Sequence, residues 1–116
     1  MLTWITILIF AVAAVIGLTM ALAAFRGSFP PVASAVLHGA FAATGLVLLI
    51  VLVAGGAAAG ARWALVLFLI AALGGFTIAL GFHARRKALP KPFVAVHALI
   101  AVIGFLILLA TALGLM

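Results

Sequence analysis

The chain has 116 residues, of which 72% are hydrophobic and 5% are charged, and its mean hydropathy is +1.69. It contains six Lys and Arg but no Asp, Glu or Cys, which excludes carboxylate acid–base catalysis, carboxylate metal sites, disulfides and thiolate chemistry. Because a soluble domain of this size could not bury so much apolar surface, the composition predicts a single membrane domain over residues 1–116 in a lipid bilayer.

Four apolar runs follow one another along the chain, and each is long enough to cross a hydrocarbon core of roughly 30 Å. Short polar turns follow the first and third runs, and a small, uncharged linker follows the second. The prolines in the polar turns can begin a helix but cannot continue one. The sequence therefore predicts an all-α fold, a transmembrane four-helix bundle with helices at about 2–25, 32–54, 62–84 and 93–115.

The basic residues are concentrated in the loops after the first and third helices. These loops carry five of the six cations, and the opposite side has only Arg62. The positive-inside rule then predicts cytoplasmic basic loops and outward-facing termini, as in a bacterial inner-membrane protein. Since these loops are short and adjoin apolar runs, anionic lipid headgroups or cofactor carboxylates are better partners than nucleic acid. The five cations are Arg26, Arg85, Arg86, Lys87 and Lys91.

The two halves of the chain share sequence patterns. The pattern AAxxGxTxAL occurs at residues 13–22 and again, without gaps, at residues 71–80, and the pattern HxxxAxxG begins at His38 and at His97. We interpret this as tandem duplication of a two-helix hairpin, whose two copies cross the membrane in the same direction and are related by a pseudo-two-fold axis along the membrane normal. The predicted repeats comprise residues 1–57 and 58–116.

Two histidines, His38 and His97, occupy matching positions in the second helix of each hairpin. A two-fold axis would place their rings opposite each other, roughly 8 to 9 Å inside the helix starts at 1.5 Å per residue. Such a pair suits axial ligation, so we expect both residues to be the metal ligands of one haem b near the cytoplasmic face. A structural polar contact is one alternative, because a polar group in lipid must find a partner. The second alternative is that the pair binds another metal or another tetrapyrrole.

Small residues follow each histidine on the same helix face. Ala42 and Gly45 follow His38, and Ala101 and Gly104 follow His97. They would leave room for a flat macrocycle, although small residues also let membrane helices pack closely without any cofactor.

Polar residues at a similar depth offer further contacts. We expect the hydroxyl of Thr19 or Thr77 to accept the Nδ1 proton of a histidine and orient its ring, unless each hydroxyl bonds to its own helix. Arg26, Arg85 and Arg86 would neutralise two haem propionates.

His83 ends the third helix, and its counterpart in the first repeat is Phe25. It is therefore outside the symmetric pair. We expect an interfacial histidine, with a propionate contact, a quinone contact or a proton-accepting role as the alternatives.

A four-helix apolar bundle with His38 and His97 near helix ends resembles the di-histidine membrane b cytochromes. These include the ascorbate and ferric-reductase type cytochrome b family and the membrane anchors of succinate dehydrogenase. The resemblance implies haem b and electron exchange with a quinone or a redox partner protein. It implies an electron carrier or an oxidoreductase subunit rather than a hydrolase or transferase.

The chain departs from the ferric-reductase pattern of four histidines and two haems stacked across the membrane, since it has three histidines, all on one side. One haem near one face cannot carry electrons across roughly 30 Å. A quinone, a second copy of the chain in a homo-oligomer, or a soluble partner is therefore expected. The alternative from another class is a cofactor-free structural subunit of a larger membrane complex.

Overall fold

The computed structural model describes all 116 residues and contains helices but no strands. All four membrane segments are long and apolar enough to cross a bilayer, which confirms the all-α class and the four transmembrane helices and supports an integral membrane protein. The third segment ends in one turn of π-helix, Ala79–His83. The α-helices are α1, Leu2–Phe25; α2, Val32–Ala54; α3, Ala59–Ile78; and α4, Lys91–Ala112.

Prolines begin the second helix of each hairpin, as the sequence predicts. Pro31 precedes α2, and Pro90 precedes α4, in which Pro92 occupies the first turn. A proline is tolerated there because the first N–H groups of a helix have no intrahelical partner. Helix α4 consequently begins two residues earlier than expected, and α3 begins three residues earlier because Ala59 to Ala61 add a turn before Arg62.

The helices pack as two hairpins side by side. Helix α1 packs against α2 and α3 packs against α4, and the hairpins meet where α1 contacts α4 and α2 contacts α3. The bundle measures 41 Å along its longest axis. We call the end that carries the five cations the basic end. The opposite end holds the α2–α3 loop and both termini, and we call it the terminal end.

The tightest packing lies between the middle of the bundle and its terminal end. The rings of Phe10 on α1 and Phe68 on α3 stack across the centre, with centroids 4.0 Å apart and planes 3° apart. Leu49 and Leu108 are fully buried. Only 17 of the 116 residues are buried, and apolar side chains cover the outside as well, which is typical of a bundle whose solvent is lipid.

Candidate functional site

The His38 side chain crosses from α2 to α1 within the first hairpin. Its Nδ1 lies 2.8 Å from the carbonyl oxygen of Ala13. In an α-helix that oxygen also accepts the N–H of residue 17, and residue 17 is a glycine, so no Cβ covers it. A Cβ on Gly17 would lie 2.8 Å from the His38 ring. Ala13 and Gly17, which lie one helical turn apart, therefore form the surface of α1 that binds the imidazole.

His97 makes the same contact from α4 to α3. Its Nδ1 lies 2.7 Å from the carbonyl oxygen of Ala71, and a Cβ on Gly75 would lie 3.1 Å from the ring. Ala71 and Gly75 are the first and fifth residues of the second AAxxGxTxAL pattern. The first and fifth residues of the first AAxxGxTxAL pattern are Ala13 and Gly17. In both patterns, therefore, the carbonyl of the first residue accepts a hydrogen bond from a histidine that lies beside the glycine.

These hydrogen bonds determine which nitrogen of each ring is free. A carbonyl oxygen only accepts, so Nδ1 carries the proton in both histidines, and Nε2 of the neutral ring keeps its lone pair. Neither Nε2 has a hydrogen-bond partner within the protein, and both side chains are half-buried. Each histidine thus presents one unprotonated nitrogen inside the membrane-spanning part of the bundle.

The two rings lie close together on diagonally opposed helices. Their centroids are 6.2 Å apart and their planes are 78° apart. Two imidazoles on opposite sides of one metal ion, with metal–nitrogen bonds of about 2 Å, have centroids about 6 Å apart. The expectation that His38 and His97 face each other across the bundle agrees with this arrangement.

The threonines do not hold the histidines. Thr19 donates to the Ile16 carbonyl at 2.7 Å and Thr77 donates to the Leu73 carbonyl at 2.9 Å, and both side chains are exposed on the outside of the bundle. The expected hydrogen bond from a histidine Nδ1 to either hydroxyl is therefore wrong. The carbonyls of the helix facing each ring are better placed, because glycine uncovers them.

The glycines of the histidine patterns contact aromatic rings. A Cβ on Gly45 would lie 2.9 Å from the Phe10 ring, and one on Gly104 would lie 3.6 Å from the Phe68 ring. Both glycines are buried, whereas Ala42 and Ala101 are half-buried. Gly45 and Gly104 thus allow close helix packing about two turns beyond the histidines, and they leave no open space there.

The arginines expected to neutralise propionates all lie at the basic end. Arg26, Arg85 and Arg86 are exposed in the loops that follow α1 and the π-helix. The histidine pair lies about 9 Å deeper along the helices, six residues beyond the starts of α2 and α4 at 1.5 Å each.

His83 is buried within the protein at the end of the third membrane segment. Its side chain is 7% exposed, its Nε2 lies 2.8 Å from the carbonyl oxygen of Pro30, and its ring stacks on Phe29 with centroids 4.6 Å apart. His83 thus joins the end of the π-helix to the α1–α2 loop. A histidine at the end of an apolar run can be either exposed or buried. The sequence therefore does not predict this contact.

Comparison with known proteins adds no family to these observations. No family model, curated protein or solved structure matches the chain. No group of three or more His, Cys, Asp or Glu side chains comes together in the fold. The candidate site therefore consists of two histidines and the carbonyls that orient them.

Proposed function

We propose that this protein is an integral membrane b-type cytochrome that binds one haem b through His38 and His97 and transfers electrons. The observation that carries the proposal is the matched pair of imidazoles, each with Nδ1 bound to a carbonyl and with Nε2 free. A histidine that ligates a metal usually donates its other N–H to a carbonyl, a carboxylate or water. Both histidines meet that condition.

Two features of the pair support binding of a metal ion between the rings. The small residues of the facing helices, Ala13, Gly17, Ala71 and Gly75, accommodate the imidazoles themselves, and no acidic side chain lies anywhere in the chain to compete as a ligand. A lone pair inside the hydrocarbon region has no water to satisfy it. A metal ion supplies that partner for both nitrogens at once.

Each part of the chain has a distinct role in this proposal. His38 and His97 hold the iron, and the Ala13 and Ala71 carbonyls fix the tautomer and the ring orientation. The bound haem supplies one-electron redox chemistry, whose potential depends on bis-histidine ligation and burial. The cations of the basic end provide the positive charge that two propionates require.

The electron path continues outside a single copy of the chain. The histidines lie near one end of a bundle whose longest axis is 41 Å. A quinone in the bilayer, a redox protein docked at the basic end, or a second copy of the chain would complete the path. In each case the protein acts as an electron carrier or as a subunit of an oxidoreductase.

The test is haem content per chain and the absorption spectrum before and after dithionite reduction. Wild-type protein expressed with adequate haem should contain one haem per chain and show a sharp reduced α-band. His38→Ala and His97→Ala should lose both features. His83→Gln is the matched control, since it removes the histidine outside the pair and should keep them. A colourless wild-type protein would contradict the proposal, and a different pigment would indicate another tetrapyrrole.

A cofactor-free structural subunit is the second candidate. It is favoured by the fact that each histidine already fastens two helices of one hairpin through a hydrogen bond to the backbone. In that case the wild-type protein is colourless, and His38→Ala or His97→Ala weakens the bundle without changing any spectrum.

A further inference from the structure

The basic end carries an uncompensated cluster of positive charge. Arg26, Arg85, Arg86, Lys87 and Lys91 are all exposed there, and the chain has no Asp or Glu to pair with them. These cations must be balanced by an anion from outside the chain.

One of these cations, Arg86, occupies a backbone position that normally favours glycine. Each of the four membrane segments ends with a residue at positive φ, followed by a hydrogen bond from the next N–H back to the last turn. Three of these residues are glycines, as this type of helix end favours. The fourth is Arg86, with a φ of 56°, a conformation that disfavours any residue with a Cβ. The positive-φ residues are Gly27, Gly56, Arg86 and Gly114.

The side chain of Arg86 is in turn held at the junction of the two basic loops. Its guanidinium carbon lies 5.8 Å from the centroid of the Phe29 ring, within range of a cation–π interaction. The same ring stacks on buried His83, which bonds to Pro30. The guanidinium therefore lies over a fixed aromatic ring, whereas the Arg26 side chain makes no hydrogen bond and no cation–π contact.

Exposed aromatic rings adjoin this cluster of cations. Phe25 and Phe29 lie at the end of α1 and in the following loop, Phe93 lies in the first turn of α4, and all three are exposed. A ligand that combines an anionic headgroup with acyl chains matches such a mixed surface better than an acidic soluble protein does.

We propose that the basic end holds a binding site for an anionic phospholipid, in which the guanidinium of Arg86, positioned over Phe29, binds the headgroup phosphate. The other four cations strengthen the local field, and the exposed phenylalanines contact the acyl chains. None of the residues of this site belongs to the histidine pair, although the proposed function draws on the same cations for the haem propionates.

The test is native mass spectrometry of the full chain in detergent, titrated with phosphatidylglycerol and, separately, with phosphatidylcholine. The wild type should bind phosphatidylglycerol preferentially. Arg86→Gly should lower that affinity at least about fivefold, the effect of one cation at an anionic surface. Because glycine suits the left-handed backbone, this variant should also unfold at a higher temperature, so weaker binding cannot be ascribed to misfolding.

Three matched variants separate a defined site from diffuse charge. Arg62→Ala removes one cation from the terminal end and should leave the affinity unchanged. Arg26→Ala removes one cation from the basic end and should reduce it less than Arg86→Gly. Phe29→Leu removes the aromatic ring without changing the charge and should also weaken binding.

Three outcomes would overturn the proposal. Equal losses for Arg26→Ala and Arg86→Gly would mean that only the net charge matters. Equal binding of the two lipids would mean that the headgroup charge is not recognised. Preferential binding of a soluble poly-glutamate over phosphatidylglycerol would reassign the surface to an acidic protein partner.

Discussion

At the residue scale, the central feature is a helix carbonyl that a glycine uncovers. Gly17 and Gly75 each lie one turn after the alanine whose oxygen binds a histidine Nδ1. The glycine does two things at once, since it lets the ring approach and leaves the oxygen accessible. This explains why the alanine and the glycine recur at fixed spacing in the two halves of the chain.

We predict that Gly17→Ala displaces His38. The new Cβ would lie 2.8 Å from the ring, and the lost hydrogen bond should destabilise the bundle by about 1 to 3 kcal/mol, which exceeds the helix-propensity gain of about 1 kcal/mol. The measurement is unfolding of the detergent-solubilised protein by a denaturing detergent. Gly39→Ala is the control, because nothing lies within 4 Å of a Cβ there, and it should be neutral or stabilising. Equal effects of the two variants would contradict the role of Gly17 in letting the His38 ring reach the Ala13 carbonyl.

At the element scale, the π-helix and the α1–α2 loop act as a pair. The π-helix ends at His83, whose hydrogen bond and stacking hold Pro30 and Phe29. The corresponding residues of the first hairpin form the end of a regular α-helix, so this fastening exists on one side of the bundle only. It ties the first hairpin to the second at the basic end.

We predict that His83→Ala loosens the α1–α2 loop. Loss of one buried hydrogen bond should cost about 1 to 3 kcal/mol, and the loop should open locally more often. Trypsin cleavage after Arg26 should therefore become faster in the variant. Arg62, in the first turns of α3 at the terminal end, is an internal control whose cleavage should keep its wild-type rate. An unchanged rate at Arg26 would contradict the fastening role of His83.

The hydropathy of the chain and the prolines, glycines and polar turns between its apolar runs predict the helices well. The length and apolarity of a run are local properties of the sequence. The sequence does not predict the π-helix. It differs from an α-helix only in its backbone hydrogen-bond spacing, for which residues 79–83 show no distinctive pattern. The opposition of His38 and His97 follows from the repeated pattern. The sequence does not identify the carbonyls that bind these histidines, because every residue has a carbonyl. Only the packing of the helices decides which carbonyl lies beside a glycine and opposite a ring. The sequence favours the threonines as partners, but their hydroxyls donate to carbonyls of their own helices.

At the scale of the whole molecule, equivalent contacts recur in the two hairpins. Phe10 stacks on Phe68, His38 faces His97, and Leu49 and Leu108 are equally buried. The origin of this correspondence in a tandem duplication stays a prediction. The charge distribution departs from this correspondence, because the first hairpin carries one cation, Arg26, at the basic end and the second carries four.

We predict that the basic end faces the cytoplasm, since membrane insertion retains Lys and Arg on that side. The chain has no native cysteine, so single substitutions report the orientation. In intact bacteria, a membrane-impermeant maleimide should label Ala58→Cys at the terminal end. Ser28→Cys at the basic end should react only after the membrane is permeabilised. The reverse pattern would contradict the predicted orientation.

The proposed ligation of one iron by His38 and His97 can be measured by low-temperature electron paramagnetic resonance of the oxidised, purified protein. We predict a low-spin ferric signal of the strongly anisotropic kind that two nearly perpendicular imidazole planes produce, because the planes of the two rings are 78° apart. The signal should be lost in both His38→Ala and His97→Ala. A high-spin signal in the wild type, or no haem signal in protein expressed with adequate haem, would contradict the proposed ligation.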